Sequence, residues 1–382
     1  MSEQIAKKHI KVLQCADIHL DTPYTGLSAE KSEERRRALR NSFMNMMQYV
    51  RDSKVDIVLI CGDLFDTVYA TNTTAEVLIR EFRSAPDTRF IIAPGRSDRY
   101  SDNPIYSSGR LPENCYVFSE SSLCRCDLDE LNVTVYGWAF TGEDMLENPL
   151  YQKKADDISR INLVCGYADL DGPLNSTCCP VSSEDIKAFG ADYYAFGSRH
   201  EASEVAMIGG HHCGYCGSLE CTGFDEPGIG GATLITIEDG EPLRISHKRV
   251  SFGHITFHTE VVDITGVNNN NEIIKRISRL ISDKKYNDET ALRVDLVGSV
   301  SPRFVVSGNF DCDTFGLYSL GVTDKTVPLY GTETLRREMS IKGEFFRSLL
   351  PMLESEEEEE RLVASCAFRV GLAALEKKDI DF

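Results

Sequence analysis

The apolar residues of this chain fall in short blocks whose spacing alternates between strand-like and helix-like. Ile10, Val12 and Leu13 predict an opening strand, although His9 and Lys11 make its start less apolar than that of later ones. Leu39, Phe43, Met46, Met47 and Val50 then recur at three- and four-residue intervals and predict one buried face of a helix. The near-continuous apolar run 55–61 reads as a strand covered on both faces. A helix over 74–83 leads to another buried strand over 89–93. Further strands are predicted over 133–140, 161–165, 193–196, 205–208 and 232–237. Alternating strands and helices followed by strand-rich sequence predict an α/β sandwich with mixed sheets.

After the polar run 238–242 the pattern changes, which places a boundary between Ser246 and Gly253 and two domains at 1–248 and 249–382. The second domain opens with a strand over 256–262, an amphipathic helix over 271–282 and a strand over 292–297. A helix over 345–350 is expected to stop at Pro351. The acidic run 356–360 reads as a solvated helix start or loop, before a last helix ending near Leu375. No internal repeat is present.

Composition narrows the reading. The 382 residues are 42% apolar and 26% charged, an ordinary globular balance, and enough chain to bury a core without disulfides. The formal charge of −19 arises on both sides of Val250, so no basic half exists to coat DNA indiscriminately. A local basic groove stays allowed. Arg35, Arg36, Arg37 and Arg40 flank the first helical face and read as its solvated side. The opening residues carry no apolar stretch of signal-peptide length, and no run is long enough to span a bilayer. With 13 scattered cysteines, some inside strands as at Cys61 and Cys165, a reducing cytoplasm is the expected location.

The chemistry gathers in three motifs at or just past the ends of apolar strands, where ligands bind in open α/β sheets. These are Asp17-Ile-His19, Gly62-Asp63-Leu-Phe-Asp66 and Gly197-Ser-Arg-His200. Two carboxylates and two imidazoles brought together would suit a hard-to-borderline divalent ion, with Asp63 free to bridge two.

In this order the motifs resemble the calcineurin-like metallophosphoesterases, and within them the SbcD-type DNA-repair exonucleases and their YhaO group. The resemblance runs through Ala16-Asp-Ile-His-Leu-Asp-Thr-Pro-Tyr24, Gly62-Asp-Leu-Phe-Asp66, Leu111-Pro-Glu-Asn114, Asp192-Tyr-Tyr-Ala-Phe-Gly197 and Tyr215-Cys-Gly-Ser218, to Gly371-Leu-Ala-Ala-Leu375. It implies an α/β fold, a metallophosphoesterase β-sandwich flanked by helices (αββα), plus a smaller α+β C-terminal capping domain. It also implies phosphodiester hydrolysis by two ions, typically manganese, roughly 3.5–4 Å apart. The ligands of the first ion are all present, as Asp17, His19, Asp63 and His200.

Those private to the second ion are all replaced. The third motif reads Gly95-Arg96-Ser97-Asp98, so Arg96 stands for the family's Asn and Ser97 for its leaving-group His. Cys165 stands for the lone His of the middle strand and Ser198 for the first His of the last motif. The resemblance therefore implies one divalent ion, manganese or another. Arg96 is expected to turn inward, pair with Asp63 and meet a phosphate, which makes Asp63, Arg96 and His200 the expected catalytic set. Cys165 is expected as a buried thiol and Asp98 as a residue that stabilises its loop.

The cluster His211-His212-Cys213-Gly-Tyr-Cys216, with Cys221, has one zinc-like pair but no second at finger spacing, and His212 is expected near the rim of the site. In the family the C-terminal domain shapes access to DNA and a following helix docks on a coiled-coil ATPase of the SbcC class. Here Phe345, Leu349 and Leu350 of the segment 341–350 would be offered to it. Homodimers are usual for such nucleases. Two readings stay open: a one-metal phosphodiesterase or exonuclease, and a catalytically inactive binding or scaffold subunit.

Overall fold

The computed structural model describes residues 9–375 except 26, 67–69, 174, 241–242, 302–303, 307–309 and 329–331. The chain divides into two units, 1–257 and 258–382. In chain order the first carries β1 (His9–Cys15), α1 (Ala29–Ser53), β2 (Ile57–Ile60), α2 (Asn72–Arg83), β3 (Arg89–Ile92), α3 (Pro104–Ser107) and β4 (Cys115–Val117). Then come β5 (Cys124–Leu128), β6 (Val133–Gly137), β7 (Ile161–Tyr167), β8 (Asp169–Leu170), β9 (Pro180–Val181) and α4 (Ser183–Phe189). The unit closes through β10 (Tyr193–Gly197), β11 (Ala206–Ile208), β12 (His211–Tyr215), β13 (Gly231–Glu238) and β14 (Arg244–Ser251).

Among the described residues these strands build two six-stranded sheets, ordered β14-β13-β1-β2-β3-β4 and β11-β12-β10-β7-β6-β5. Strand alternation explains the stacking. Ile57 and Leu59 of β2 face Val133, Val135 and Leu163 across the inter-sheet core, while Val58 and Ile60 face α1 and α2 on the other side. Tyr194 and Phe196 of β10 likewise face outward, onto α4. The result is the α/β sandwich with mixed sheets that the alternation predicts, layered helix-sheet-sheet-helix as the resemblance implies.

One buried polar residue stitches the sheets together. Gln14 of β1 donates to the carbonyls of Phe196 and Gly214 at 3.0 and 2.8 Å and accepts from the Tyr193 hydroxyl at 2.7 Å. Each of its amide groups is satisfied across the interface, so its burial carries no desolvation penalty left unmet.

Three details differ from the sequence reading. β14 pairs with β13 along its whole length, from Gly231↔Ser251 to Glu238↔Arg244, which carries the first unit past 248 to Phe257. Arg35 is not solvated: it is 2% exposed and pairs with Glu220 at 3.3 Å. Arg36 and Arg40 do stay near solvent, sharing Glu33 at 2.9 Å each. His211 and His212 begin β12, a strand that the pattern does not reveal.

β15 (Thr256–Asp263) leads into the second unit, followed by α5 (Asn270–Lys284), β16 (Thr290–Val297), β17 (Ser299–Val300) and α6 (Cys312–Phe315). β18 (Ser319–Asp324), β19 (Val327–Pro328), α7 (Thr332–Arg337), α8 (Ile341–Leu353) and α9 (Glu358–Leu375) complete it. Ile273, Ile277 and Ile281 line one face of α5 and pack on the sheet β15-β16-β18. α8 runs through Pro351 rather than stopping there. The proline forfeits one backbone bond so near the end that Glu354 N–H still closes the turn on the Leu350 carbonyl at 3.0 Å. Phe345 is not free for a partner, since its ring stacks on Phe368 of α9 at 6.3 Å. No described helix is long and apolar enough to cross a membrane.

Candidate metal centre

β1, β2 and β3 run parallel in one sheet, and β7 and β10 run parallel in the other. The loops at their C-terminal ends therefore meet along one edge of the sandwich. The first two zip together through the backbone: Asp17 N–H bonds the Gly62 carbonyl at 3.1 Å, and His19 N–H bonds the Asp63 carbonyl at 2.9 Å. Asp17, His19, Asp63 and Ser198 hold φ of 48°, 52°, 52° and 102°, a left-handed backbone that non-glycine residues rarely adopt. Such local strain at four converging positions marks a site held in shape by its surroundings.

Asp17, His19 and His200 offer one ligand atom each, all within 4.8 Å of one another. His19 Nε2 and His200 Nε2 are 3.4 Å apart, with Asp63 Oδ2 3.7 Å from the former and Asp17 Oδ1 3.9 Å from the latter. Each ring is anchored from behind. His19 Nδ1 lies 2.9 Å from Asp66 Oδ1, and His200 Nδ1 lies 2.7 Å from Glu226 Oε1. A carboxylate only accepts, so both Nδ1 atoms donate and both Nε2 atoms point at the shared space. That arrangement, a metal-binding imidazole oriented by a carboxylate, fits a divalent ion held by Asp17, His19, Asp63 and His200.

The electrostatics agree. Burial and the charge of Asp63 push the Asp17 carboxyl up to about 7, against the pull of His200 and His19. Burial works against a charged His19, yet the Asp66 hydrogen bond and the charges of Asp63, Asp66 and Asp17 raise it to about 9. The Glu226 hydrogen bond raises His200 as well. Anionic groups crowded around two imidazoles thus hold protons where a cation would replace them.

The far side of Asp63 is different. Its Oδ1 accepts the Ser97 N–H at 2.7 Å, and its Oδ2 lies 3.3 Å from the Ser97 hydroxyl. Asp98 binds the surrounding loops, accepting from the N–H groups of Asp63, Gly95 and Leu64 and from the Tyr106 hydroxyl. Arg96 does not pair with Asp63. Its guanidinium is 42% exposed and bonds Asp144 at 2.9 Å, an acid that keeps both charges in water and spares them burial. Ser198 turns its hydroxyl to the Ala168 carbonyl at 2.7 Å, and its N–H faces both Asp17 oxygens at 3.3 Å.

Cys165 is a buried thiol, 3.6 Å from Cys61 in the inter-sheet core. Two residues further on, Tyr167 ends the strand and its ring comes up beside Asp63. Burial and the charges of Asp63 and Asp17 push its phenol far above the usual range. Cys178 borders the same carboxylate, its thiol pushed up to about 12 by burial and then by Asp63. Glu226, Tyr167 and Cys178 carry no sequence signal of their own; only Asp66 stands inside a motif.

The zinc-like pair of the histidine-cysteine cluster is split between two faces. Cys213 lies on the outer face of its sheet and Cys216 between the sheets, so the pair cannot grip one ion. His212 pairs in register with Tyr193 at the start of β10, the opposite end from His200, and so stands away from the rim.

Comparison with known proteins adds three findings. The family model described as calcineurin-like phosphoesterase matches residues 10–202, a span that holds the four donors together with Ser97 and Tyr167. "Uncharacterized metallophosphoesterase YhaO" of Bacillus subtilis (strain 168) is 23% identical over 307 residues, covering 75% of this chain and 71% of that protein. Among solved structures, TT1561 of Thermus thermophilus matches 63% of this chain and 98% of its own at 10% identity, with a TM-score of 0.39.

Proposed function

The chain belongs to the calcineurin-like phosphoesterase family, and from that premise we propose that it hydrolyses phosphodiesters with a single divalent ion, manganese or a similar metal. The observation that carries this reading is the pair of imidazoles, each fixed by a carboxylate at Nδ1 and meeting at Nε2 between Asp17 and Asp63. When bound, the ion would supply positive charge to a phosphate oxygen and acidify water beside it.

The protein's own part is to place and protect that charge. Asp66 and Glu226 fix the rings, and the strained loops fix Asp17 and Asp63. His200, with a side chain 37% exposed, marks the side open to substrate, whereas Asp17 is sealed. Ser97, Ser198 and Arg96 are each committed to a protein partner. No third imidazole stands at the site among the described residues, and His19, His200 and Asp17 would be engaged as ligands of the ion, so no separate acid is at hand to protonate a leaving oxygen. Turnover should therefore depend steeply on the leaving group, favouring aryl over alkyl esters.

DNA in a repair setting is the substrate that the sequence resemblance favours, with the second unit as the cap and a coiled-coil ATPase as partner. Leu349 and Leu350, rather than Phe345, would be offered to it, because Phe345 already packs on α9. A non-catalytic scaffold is the second reading, favoured by the Ser97 N–H and hydroxyl that already bond Asp63. Hydrolysis of DNA and of an aryl phosphodiester with manganese, beside His200→Ala, decides between them. Turnover lost in the variant supports the enzyme. Equal, background rates from folded protein support the scaffold.

A further inference from the structure

The geometry points to Tyr167 as the residue that limits this centre to one ion, by filling the side of Asp63 that faces away from the imidazoles. The inference rests on the metal-centre reading above and goes on to say what sets its stoichiometry.

The two oxygens of Asp63 differ in what they face. Oδ2 looks toward His19 Nε2 at 3.7 Å, while Oδ1 looks toward the loop after β3 and is held by the Ser97 N–H at 2.7 Å. The Tyr167 ring lies on the Oδ1 side. A Cβ built on Gly95 would fall 2.4 Å from Asp63 Oδ1 and 2.9 Å from Tyr167 Cδ2, so carboxylate and ring converge on the same bare Cα. A Cβ on Gly62 would fall 2.3 Å from that same ring carbon. The two glycines thus form a floor on which the aromatic ring rests, a close approach that any side chain would prevent.

The ring is also walled in. Phe140 meets it edge-on, with centroids 5.3 Å apart, and the Trp138 indole N–H bonds the Tyr167 carbonyl at 3.2 Å. The side chain is left 6% exposed. Both serines beside it turn their hydroxyls to protein partners: Ser97 to Asp63 and Ser198 to the Ala168 carbonyl. An ion on this side would have to evict a packed aromatic ring and displace the Ser97 N–H from Asp63 Oδ1. An ion on the other side meets the Nε2 atoms of two imidazoles and two carboxylates.

Counting ions tests this directly. Manganese is titrated by calorimetry into the full chain, and the loaded protein is examined by electron paramagnetic resonance, for wild type, Tyr167→Phe and Tyr167→Ala. Wild type and Tyr167→Phe should take one ion with the spectrum of an isolated centre, because both keep the ring. Tyr167→Ala should take a second, weaker ion that couples magnetically to the first. Two coupled ions in wild type overturn the inference, and so does a second ion in Tyr167→Phe. A single ion in Tyr167→Ala with unchanged first-ion affinity overturns it too, since the ring is then not the block. Should Tyr167→Ala fail to fold, Tyr167→Leu, which keeps an apolar side chain but removes the ring, takes its place with the same two outcomes. Hydrolysis plays no part in the readout. A chain that holds one ion and cuts nothing keeps this assignment and removes the enzymatic reading; a chain that cuts with two coupled ions does the reverse.

Discussion

Glu226 sits 2.7 Å behind His200 and is 2% exposed, and it is tied in turn by the Thr222 hydroxyl and N–H. Its removal should free the ring to rotate and change tautomer. Glu226→Ala is expected to weaken manganese binding by about 10–100-fold, as outer partners of metal ligands commonly do. Glu226→Gln should lose less, because an amide oxygen still accepts; equal affinity in all three proteins would mean that His200 needs no anchor. Acidity gives a second expectation. His19 is raised from 6.5 to about 9, so its contribution to stability is complete below the lower value and lost as pH climbs through the upper one. Asp17 is raised from 3.8 to about 7, so its ionisation opposes folding over that interval. Both effects lower the stability of metal-free protein as pH rises toward 9, and manganese should restore more at pH 9 than at pH 6. Thermal midpoints with chelator and with metal check it; a gain from metal that shrinks with pH would contradict the assignment. At this scale the four donors are legible in the sequence, because each follows an apolar strand in a familiar motif. Arg96 defeats the sequence reading because Asp144, remote along the chain, competes for it at the surface. Tyr167 gives no warning because an aromatic residue at a strand end reads as core.

The buried pair Arg35–Glu220 ties α1 to the segment that follows β12. Glu220 also accepts from the Ser42 hydroxyl and from the N–H groups of His254 and Ile255, at 2.7, 2.6 and 3.0 Å. One carboxylate thus joins a helix, a loop and the approach to β15. Arg35→Met would leave that carboxylate charged and without its cation, which should cost about 3–5 kcal/mol. Urea unfolding checks the figure, and a loss within error of zero would show that water reaches Glu220. The exposed pair of Arg36 with Glu33 should by contrast contribute almost nothing, because water screens both charges. The same contrast explains what the elements reveal beforehand. α1, β2, α2 and β3 are legible because each buries a whole face or both faces, which writes a period into the sequence. β14 is not, because an edge strand reading Arg244, His247, Lys248 and Arg249 along its length carries charges in place of an apolar alternation. That omission moves the boundary between the units from 248 to 257. Arg35 cannot be told from its neighbours, since only the fold decides which arginine of a basic run meets a buried acid.

Charge governs what the whole molecule can hold without help. With a net charge of −19, the chain repels a polyanion at every distance beyond a local contact. Exposed basic side chains do exist, as at Arg244 on β14, but many described arginines are spent on carboxylates: Arg89 on Glu130, Arg125 on Asp127 and Asp156, Arg160 on Asp129. Non-specific DNA binding draws its strength from counterions released by unpaired cations, and typical dissociation constants of about 10⁻⁴–10⁻⁶ M presuppose a basic face. The isolated chain is therefore expected to show no saturable binding to duplex DNA at physiological salt with protein up to about 10 μM, read by fluorescence anisotropy. Lower salt should rescue little, because the paired arginines release few ions. If hydrolysis of DNA is observed under those same conditions, encounter must be transient and the rate should rise linearly with DNA concentration, without saturating. Tight binding with a steep salt dependence would instead reveal a cationic groove and remove the need for a basic partner. The two results separate a catalyst that must be brought to its substrate from one that finds it alone, and the charge of the chain favours the first.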